Sequence, residues 1–319
     1  MTKGRTMESW VKEYLYYRRS LGYRLKIEGA QLLDFAQYAD KEGCGGHLTI
    51  DLTLRWARLP MNCSPLYWAR RLEIVRCFAR YLAVFDPVSE VPPKGILGPA
   101  HRRTTPHIYS EKEIKMLLKA CGELKAINGL RPHTYMTLFG LLSCTGLRIS
   151  EVIKLTNGDV DLDRGLLTIR ESKFHKSRLV PLHPSVTGVL KEYVRLRSYH
   201  CPVCFSHTFF ISNTGKALPY STVNYVFKTL RSKLGWDSAG EMGRHCRIYD
   251  LRHTFATRQL TLWQKQNENV SVLLSALSTY LGHVKVSDTY WYLSAIPELF
   301  AATALAFEQF ACPDKGGEK

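Results

Sequence analysis

Nowhere in its 319 residues does this chain carry the run of about 20 apolar residues that a membrane-spanning helix requires. Its opening stretch, MTKGRTMESWVKEYLYYRRS, has no continuous apolar segment followed by a small-residue cleavage site, so it does not read as a secretory signal. A cytoplasmic protein is expected. There is no GxxxxGK(S/T) phosphate loop, no HExxH pair and no acidic trio with two-metal spacing. ATP- or metal-driven phosphoryl transfer therefore has little support, and no internal repeat or low-complexity tract points to a solenoid or a disordered tail. The nine cysteines, at positions 44, 63, 77, 121, 144, 201, 204, 246 and 312, are odd in number and show no framework, so structural disulfides are not expected. Acidic residues are scarce: 28 Asp plus Glu stand against 44 Lys plus Arg, a formal charge of +16. That imbalance favours a polyanionic partner, nucleic acid first, yet a surface kept soluble by lysines would give the same total. Motifs must decide.

At this length a chain usually exceeds one hydrophobic core, which predicts two domains of unequal size. The first hundred residues read as helices, with Trp10, Val11, Tyr14, Leu15 and Arg18 at helical spacing and a second segment over Gln31 to Tyr38. Ser64-Pro65, a capping residue followed by proline at the first helical position, opens a third helix that runs to Asp86-Pro87. Leu72, Val75, Ala79 and Leu82 form its apolar stripe, and Arg70, Arg71, Arg76 and Arg80 on its other faces suit either phosphate contacts or plain solvated charge, the net charge favouring phosphates. Pro87, Pro92, Pro93, Pro99 and Pro106 then exclude any regular element. The expected organisation is a helical domain over residues 1–88, a linker over 89–106 and a second domain over 107–319. In that second domain Ser110 and Glu113 make a capping box for a helix. An apolar helix over Tyr135 to Ser143 follows, and short β-rich runs at Leu166 to Arg170 and Arg178 to Leu182 read as a hairpin. Further helices are expected at Ser221 to Leu234, Asp250 to Trp263, Val270 to Leu281 and Pro297 to Phe310, with a strand at Thr208 to Ile211. The fold class is mainly α with a small antiparallel sheet.

The chemistry-bearing residues come in a fixed order: Thr145-Gly146-Leu147-Arg148-Ile149-Ser150-Glu151, then Lys173, then Tyr249-Asp250-Leu251-Arg252-His253-Thr254, then Leu281-Gly282-His283, then Tyr290-Trp291-Tyr292. In this order the catalytic half resembles the tyrosine recombinases, the Xer-type and lambda-integrase-type enzymes. The resemblance implies a helical, SAM-like core-binding domain joined to a mixed α/β catalytic domain. It also implies that Arg148 and Arg252 clamp the scissile phosphate. Physics agrees, since a planar guanidinium meets two oxygens with paired charge-assisted hydrogen bonds as charge gathers on the nonbridging positions. Either arginine alone would read as an ordinary salt-bridge partner.

By the same resemblance Lys173 protonates the departing 5′ oxygen, with Lys176 and Arg178 as neighbouring rivals, and His283 donates a hydrogen bond to a nonbridging oxygen. Tyr292, nine positions after His283, matches the nucleophile, and Tyr290 is the alternative. Attack by the phenol would give a 3′-phosphotyrosyl link that preserves bond energy for religation, so no cofactor is expected. Glu151 looks like the acidic residue that supports an arginine or histidine. His253 reads as structural. One departure stands out. Three residues before the second arginine the family usually has histidine, and this chain has Tyr249, a phenol that can donate a hydrogen bond but ordinarily loses its proton only near pH ~10. His245, close by in sequence, is a conceivable substitute.

Cys201-Pro202-Val203-Cys204, flanked by His200 and His207, invites a zinc site, but one CxxC without a second pair reads better as a loop, and no metal is expected. Residues 297–310 form an amphipathic pattern with Phe300, Ala304 and Phe307 on one side. The resemblance implies docking of that tail helix into a neighbour within a homotetramer on two double-stranded DNA sites, with helper recombinases or accessory proteins as further partners. Folding back onto its own core is equally allowed by the pattern. The function implied is site-specific recombination through a Holliday junction, serving a mobile element in integration, excision or resolution. Two other functions fit parts of the chain: a DNA-binding accessory protein of weak or no catalytic activity, and a type IB topoisomerase-like enzyme.

Overall fold

The computed structural model describes residues 5–101, 105–125, 128–170, 177–202, 206–237, 245–266 and 268–293. The chain divides into two compact units, Met1–Thr104 and Thr105–Lys319.

The first unit is built on helices α1 (Met7–Ser20), α2 (Lys26–Lys41), α3 (Ile50–Arg58) and α4 (Pro65–Phe85). Their facing stripes bury Leu32, Phe35, Trp56, Val75, Phe78 and Leu82 in one core. Helix ends are satisfied by neighbours as well as by local caps. Asp40, at the far end of α2, accepts from the first amides of α1, Met7 at 2.8 Å and Glu8 at 3.1 Å. Ser64 precedes Pro65 in the expected place, but its side chain makes no capping bond, so the fixed φ of the proline carries that start. The proline-rich stretch after α4 folds against this unit: Ser89 is buried and accepts from Leu48 N at 2.9 Å, and Glu90 accepts from Ile50 N at 2.6 Å. Three of the four arginines assigned to phosphates are engaged internally, Arg70 by donating to the Ala100 carbonyl at 3.1 Å. Arg71 is buried with its guanidinium 3.7 Å from the centre of the Trp56 ring, and Arg76 donates to the Pro92 carbonyl at 2.9 Å. Arg80 remains exposed.

The second unit holds α5 (Glu111–Gly122), α6 (Leu130–Thr145), α7 (Ile149–Val152), β1 (Val160–Asp161), β2 (Leu166–Ile169), β3 (Arg178–Pro181) and α8 (Pro184–His200). After these come α9 (Tyr220–Lys233), α10 (Ile248–Lys265), α11 (Val270–Leu281) and α12 (Ser287–Leu293). The fold is mainly helical with one small antiparallel sheet, as the sequence implied. Its strands follow the order β1-β2-β3, with Leu167 opposite Val180 and Ile169 opposite Arg178. That register turns Leu167, Ile169 and Val180 into the core and leaves Arg178 at the sheet end, facing the helices. The Ser110–Glu113 capping box is present, and α6 begins about a turn and a half earlier than its apolar run indicated, at Leu130 after the cap residue Gly129. Thr208 and Ile211 make isolated bridges to Thr156 and Ala217 in place of a strand. The main core gathers Leu138, Phe139, Leu142, Phe210, Val226 and Phe227, while Ala256, Leu260, Leu274, Leu277, Leu281 and Tyr292 form a second cluster between α10, α11 and α12.

Among the described residues no helix is long and apolar enough to cross a membrane, and no group of three or more His, Cys, Asp or Glu could hold a metal ion. Cys204 and residues 297–310 lie outside the described residues.

Candidate active site

Two glycine-ended helices bring the motifs together. Helix α6 stops at Gly146, whose φ of +61° suits a residue without a side chain; a Cβ there would lie 2.4 Å from Phe255 Cδ1 on α10. The chain can thus pass close under α10 before Arg148 opens α7. Glu151, one turn on, accepts from the Arg148 amide at 2.9 Å and from its guanidinium at 2.9 Å. Helix α11 stops at Gly282, φ +69°, where a Cβ would lie 2.8 Å from Arg178 Nη1.

The end of α11 organises the cations. Its three successive carbonyls are each taken by a different arginine: Tyr280 O by Arg178 Nε at 2.7 Å, Leu281 O by Arg252 Nη2 at 2.7 Å, and Gly282 O by Arg148 Nη2 at 3.0 Å. A helix C-terminus presents unpaired carbonyls and the negative end of its dipole, so guanidinium groups from three distant stretches converge there. Glu151 is the one carboxylate in the group among the described residues. It holds Arg178 through two bonds, 3.0 Å and 2.9 Å, as well as Arg148, and lies buried between them. Burial alone would raise its pKa, but the Arg178 and Arg148 contacts outweigh this and hold it below the usual carboxylate range.

Arg252 is 1% exposed and also donates to Gly146 O at 2.9 Å. Its Nε is buried without any partner, and no carboxylate pairs with the group among the described residues. Its Nη2 lies 2.9 Å from His283 Nε2. Because arginine only donates, that ring nitrogen accepts, which places the imidazole proton on Nδ1, 2.7 Å from Thr289 Oγ1. Burial first, then the charges of Arg252 and Arg148, push the His283 pKa down to about 4, in keeping with a neutral ring. Both its nitrogens are occupied, so giving a hydrogen bond to a phosphate requires a proton on Nε2 and release from Arg252.

Tyr292 is 2% exposed on α12, stacked on His283 at 5.8 Å between ring centres and edge-on to His253 at 5.1 Å. Burial raises its phenol pKa against the opposing charge of Arg252. Tyr290 is 56% exposed, whereas Tyr292 packs on the histidine that Arg252 contacts and feels the charges of Arg252 and Arg148. Tyr249 sits at the first turn of α10, 45% exposed, edge-on to His253 at 5.0 Å. His245 is exposed ahead of that helix. Lys173 and its rival Lys176 lie outside the described residues; Arg178, the third basic residue there, is committed to Glu151 and Tyr280.

Sequence reasoning did not identify Thr289, which takes up the Nδ1 proton of His283, nor Arg178 as the partner of Glu151. The Glu151–Arg178 pair spans 27 positions, and only the fold brings it together.

Residues 108–298 match the model of the Phage integrase family. The chain is 42% identical over 298 residues to a Sinorhizobium fredii protein named as an integrase/recombinase, y4rB, an alignment covering 92% of this chain and 94% of that one. To the tyrosine recombinase XerD of Xanthomonas axonopodis pv. citri it is 30% identical over 296 residues, covering 89% and 88%. Among solved structures, the Tn1549 transposon integrase in complex with transposon right end DNA superposes with a TM-score of 0.69 at 15% identity, covering 96% of this chain and 100% of that one. XerH bound to a palindromic difH substrate superposes with a TM-score of 0.63 at 17% identity, covering 94% and 85%. At such identities the likeness of these two concerns the fold.

Proposed function

Given that this chain belongs to the phage integrase family, the tyrosine recombinases, we propose that it cuts and rejoins double-stranded DNA at specific sites with Tyr292 as the nucleophile. The observation that carries this reading is the Arg148–Arg252–His283 cluster, with a buried tyrosine ring stacked on it and one guanidinium nitrogen, Arg252 Nε, left without a partner. A buried donor with nothing to donate to is rare in a folded protein, and a phosphate oxygen would satisfy it.

In the reaction, the Tyr292 oxygen attacks phosphorus while Arg148 and Arg252 hold the nonbridging oxygens, whose charge grows in the transition state. Lys173 protonates the departing 5′ oxygen. His283 and Tyr249 supply further hydrogen bonds, and Glu151 holds Arg148 and Arg178 in place. The product is a 3′-phosphotyrosyl link and a free 5′ hydroxyl. Residues 1–88 act as the core-binding domain, 89–106 as the linker and 107–319 as the catalytic domain, with the basic surplus of the chain facing the phosphate backbone. Four protomers, joined through the segment after Tyr292, exchange strands pairwise through a Holliday junction. The names of its relatives, integrase/recombinase and XerD, and the DNA bound in the transposon integrase and XerH structures support this reading, and mobile-element service is the role it implies.

Incubation with nicked suicide DNA tests it. A covalent protein–DNA adduct is expected from the wild type and none from Tyr292→Phe. Loss in Tyr290→Phe with retention in Tyr292→Phe would name the other tyrosine, and tight binding with no adduct from any form would make the chain an accessory DNA-binding protein.

A further inference from the structure

A phenol cannot attack phosphorus without shedding its proton, and the residue that would ordinarily receive it is replaced here by Tyr249. Two histidines flank Tyr292. His283 has both nitrogens engaged, Nε2 by Arg252 and Nδ1 by Thr289. His253 differs: it is buried, its ring lies edge-on to Tyr292 at 5.1 Å, and its Nδ1 is buried with no hydrogen-bond partner among the described residues. An unmatched polar nitrogen in a protein interior is costly and calls for an explanation.

We propose that His253 is the proton acceptor for Tyr292 in this chain. The inference rests on Tyr292 being the nucleophile. As the phenolic oxygen bonds to phosphorus, its O–H bond breaks and the proton moves to the free lone pair of the His253 imidazole. The P–O5′ bond breaks in the same step, and the 5′ oxygen takes its proton from Lys173. Religation runs the transfers backwards, the imidazolium returning its proton to the tyrosine oxygen as it leaves phosphorus.

The surroundings suit an acceptor. Tyr249 covers the ring from the exposed side of α10 and Tyr292 from α12. The charged groups that act on it are Asp250, Arg247 and Arg252, from α10 and its cap. Burial first, then Arg247 and Arg252 against the opposing Asp250, push its pKa down to about 4, so the ring is neutral with a lone pair available at neutral pH. A phosphate anion entering beside Arg252 adds negative charge close by, which favours the imidazolium as the proton arrives. Position 249 is then free to be a phenol, because the acceptor sits one turn further along the same helix, beneath it.

His253→Phe keeps a ring between Tyr249 and Tyr292 and removes the acceptor; His253→Gln is the polar control should packing fail. The rate of adduct formation on nicked suicide DNA, measured at saturating protein from pH 6 to 9, separates the outcomes. The wild type should be nearly flat above pH ~7, whereas both variants should be slowed about a hundredfold at pH ~7 and recover about tenfold per pH unit as hydroxide takes over. Tyr249→His in the His253→Phe background should restore most of the rate at neutral pH. A rate within about threefold of wild type at every pH, or a uniform loss at every pH without rescue by Tyr249→His, overturns the proposal. An adduct that maps to a residue other than Tyr292 overturns the functional reading and this inference together, whereas a Tyr292 adduct insensitive to position 253 overturns this inference alone.

Discussion

Buried arginine occurs in both units of the molecule, and the two are treated differently. In the helical unit, Arg71 lies over the Trp56 ring, donates to the Trp56 carbonyl at 3.1 Å and faces Asp34 at 3.6 Å. Its Nε is unpaired, but a π-face and a carboxylate answer its charge. In the second unit, among the described residues, Arg148 and Arg178 share one carboxylate, Glu151, while the neighbouring Arg252 has none and rests on backbone carbonyls and a histidine. One cation balanced by its surroundings is a packing element. Three cations around one anion leave a surplus of two, held in a partly dry site, and such a surplus supports the proposed contact with a phosphate.

The strongest way to break this contrast is to exchange the geometry and keep the charge. Arg252→Lys should lower the rate of adduct formation by about a thousandfold, since an ammonium cannot span Gly146 O, Leu281 O and a phosphate oxygen at once. Gel-shift affinity for DNA should change far less. Comparable rates for the two proteins would mean that charge alone does the work.

The next test concerns the shared anion. Glu151→Gln preserves size and one acceptor but removes the charge that holds Arg148 and Arg178 together beside Arg252, so adduct formation should fall by about thirtyfold, with a lowered Tm. Because the folded Glu151 pKa is depressed, its contribution is present above the unfolded value of about 4.3 and is lost as pH falls through the folded value. Melting the wild type and Glu151→Gln side by side in acid should show the gap closing.

Arg71→Met should act on stability alone, costing roughly 1–2 kcal/mol in urea unfolding followed by Trp56 fluorescence while leaving the adduct rate at saturating DNA unchanged. A large loss of rate would show that the helical-unit arginine also belongs to the reaction.

The smallest effect is the pH dependence from histidine. His253 and His283 are both held down to about 4 by burial, below an ordinary value of about 6.5. The unfolded chain takes up these protons first, so the second unit should lose stability as pH falls from about 6.5 to about 4 and be indifferent to them above that range. His253→Phe should flatten part of that slope in a pH series of thermal melts.

How much of this was legible beforehand depended on where the information lies. Helices with strong periodic stripes, such as α4, α5 and α11, declare themselves locally. Helix α8 escaped notice because it buries only Leu190 and Tyr193 and opens with Pro184, Ser185, Val186, Thr187 and Gly188, residues that read as a turn. Helix α3 escaped because nine residues give too few turns for a period to repeat. The motif positions 148, 252, 283 and 292 could be named from order and spacing, but not what each touches. Arg71 and Arg76 looked like a charged outer face, because the fact that Trp56 and Pro92 come to meet them is a product of packing. In the same way a histidine next to an arginine has no visible vacancy in sequence; only the folded ring shows which nitrogen has been left over.

The last turn of α11 ties the cluster into a single mechanical part. With three neighbouring oxygens each gripping a different cation, the turn works like a three-pronged socket: fraying one turn would unplug all of them together. All-or-none assembly of the site is the expected result, and protection of the amides of Gly282 and His283 from hydrogen exchange should then track the rate of adduct formation more faithfully than the position of any one side chain.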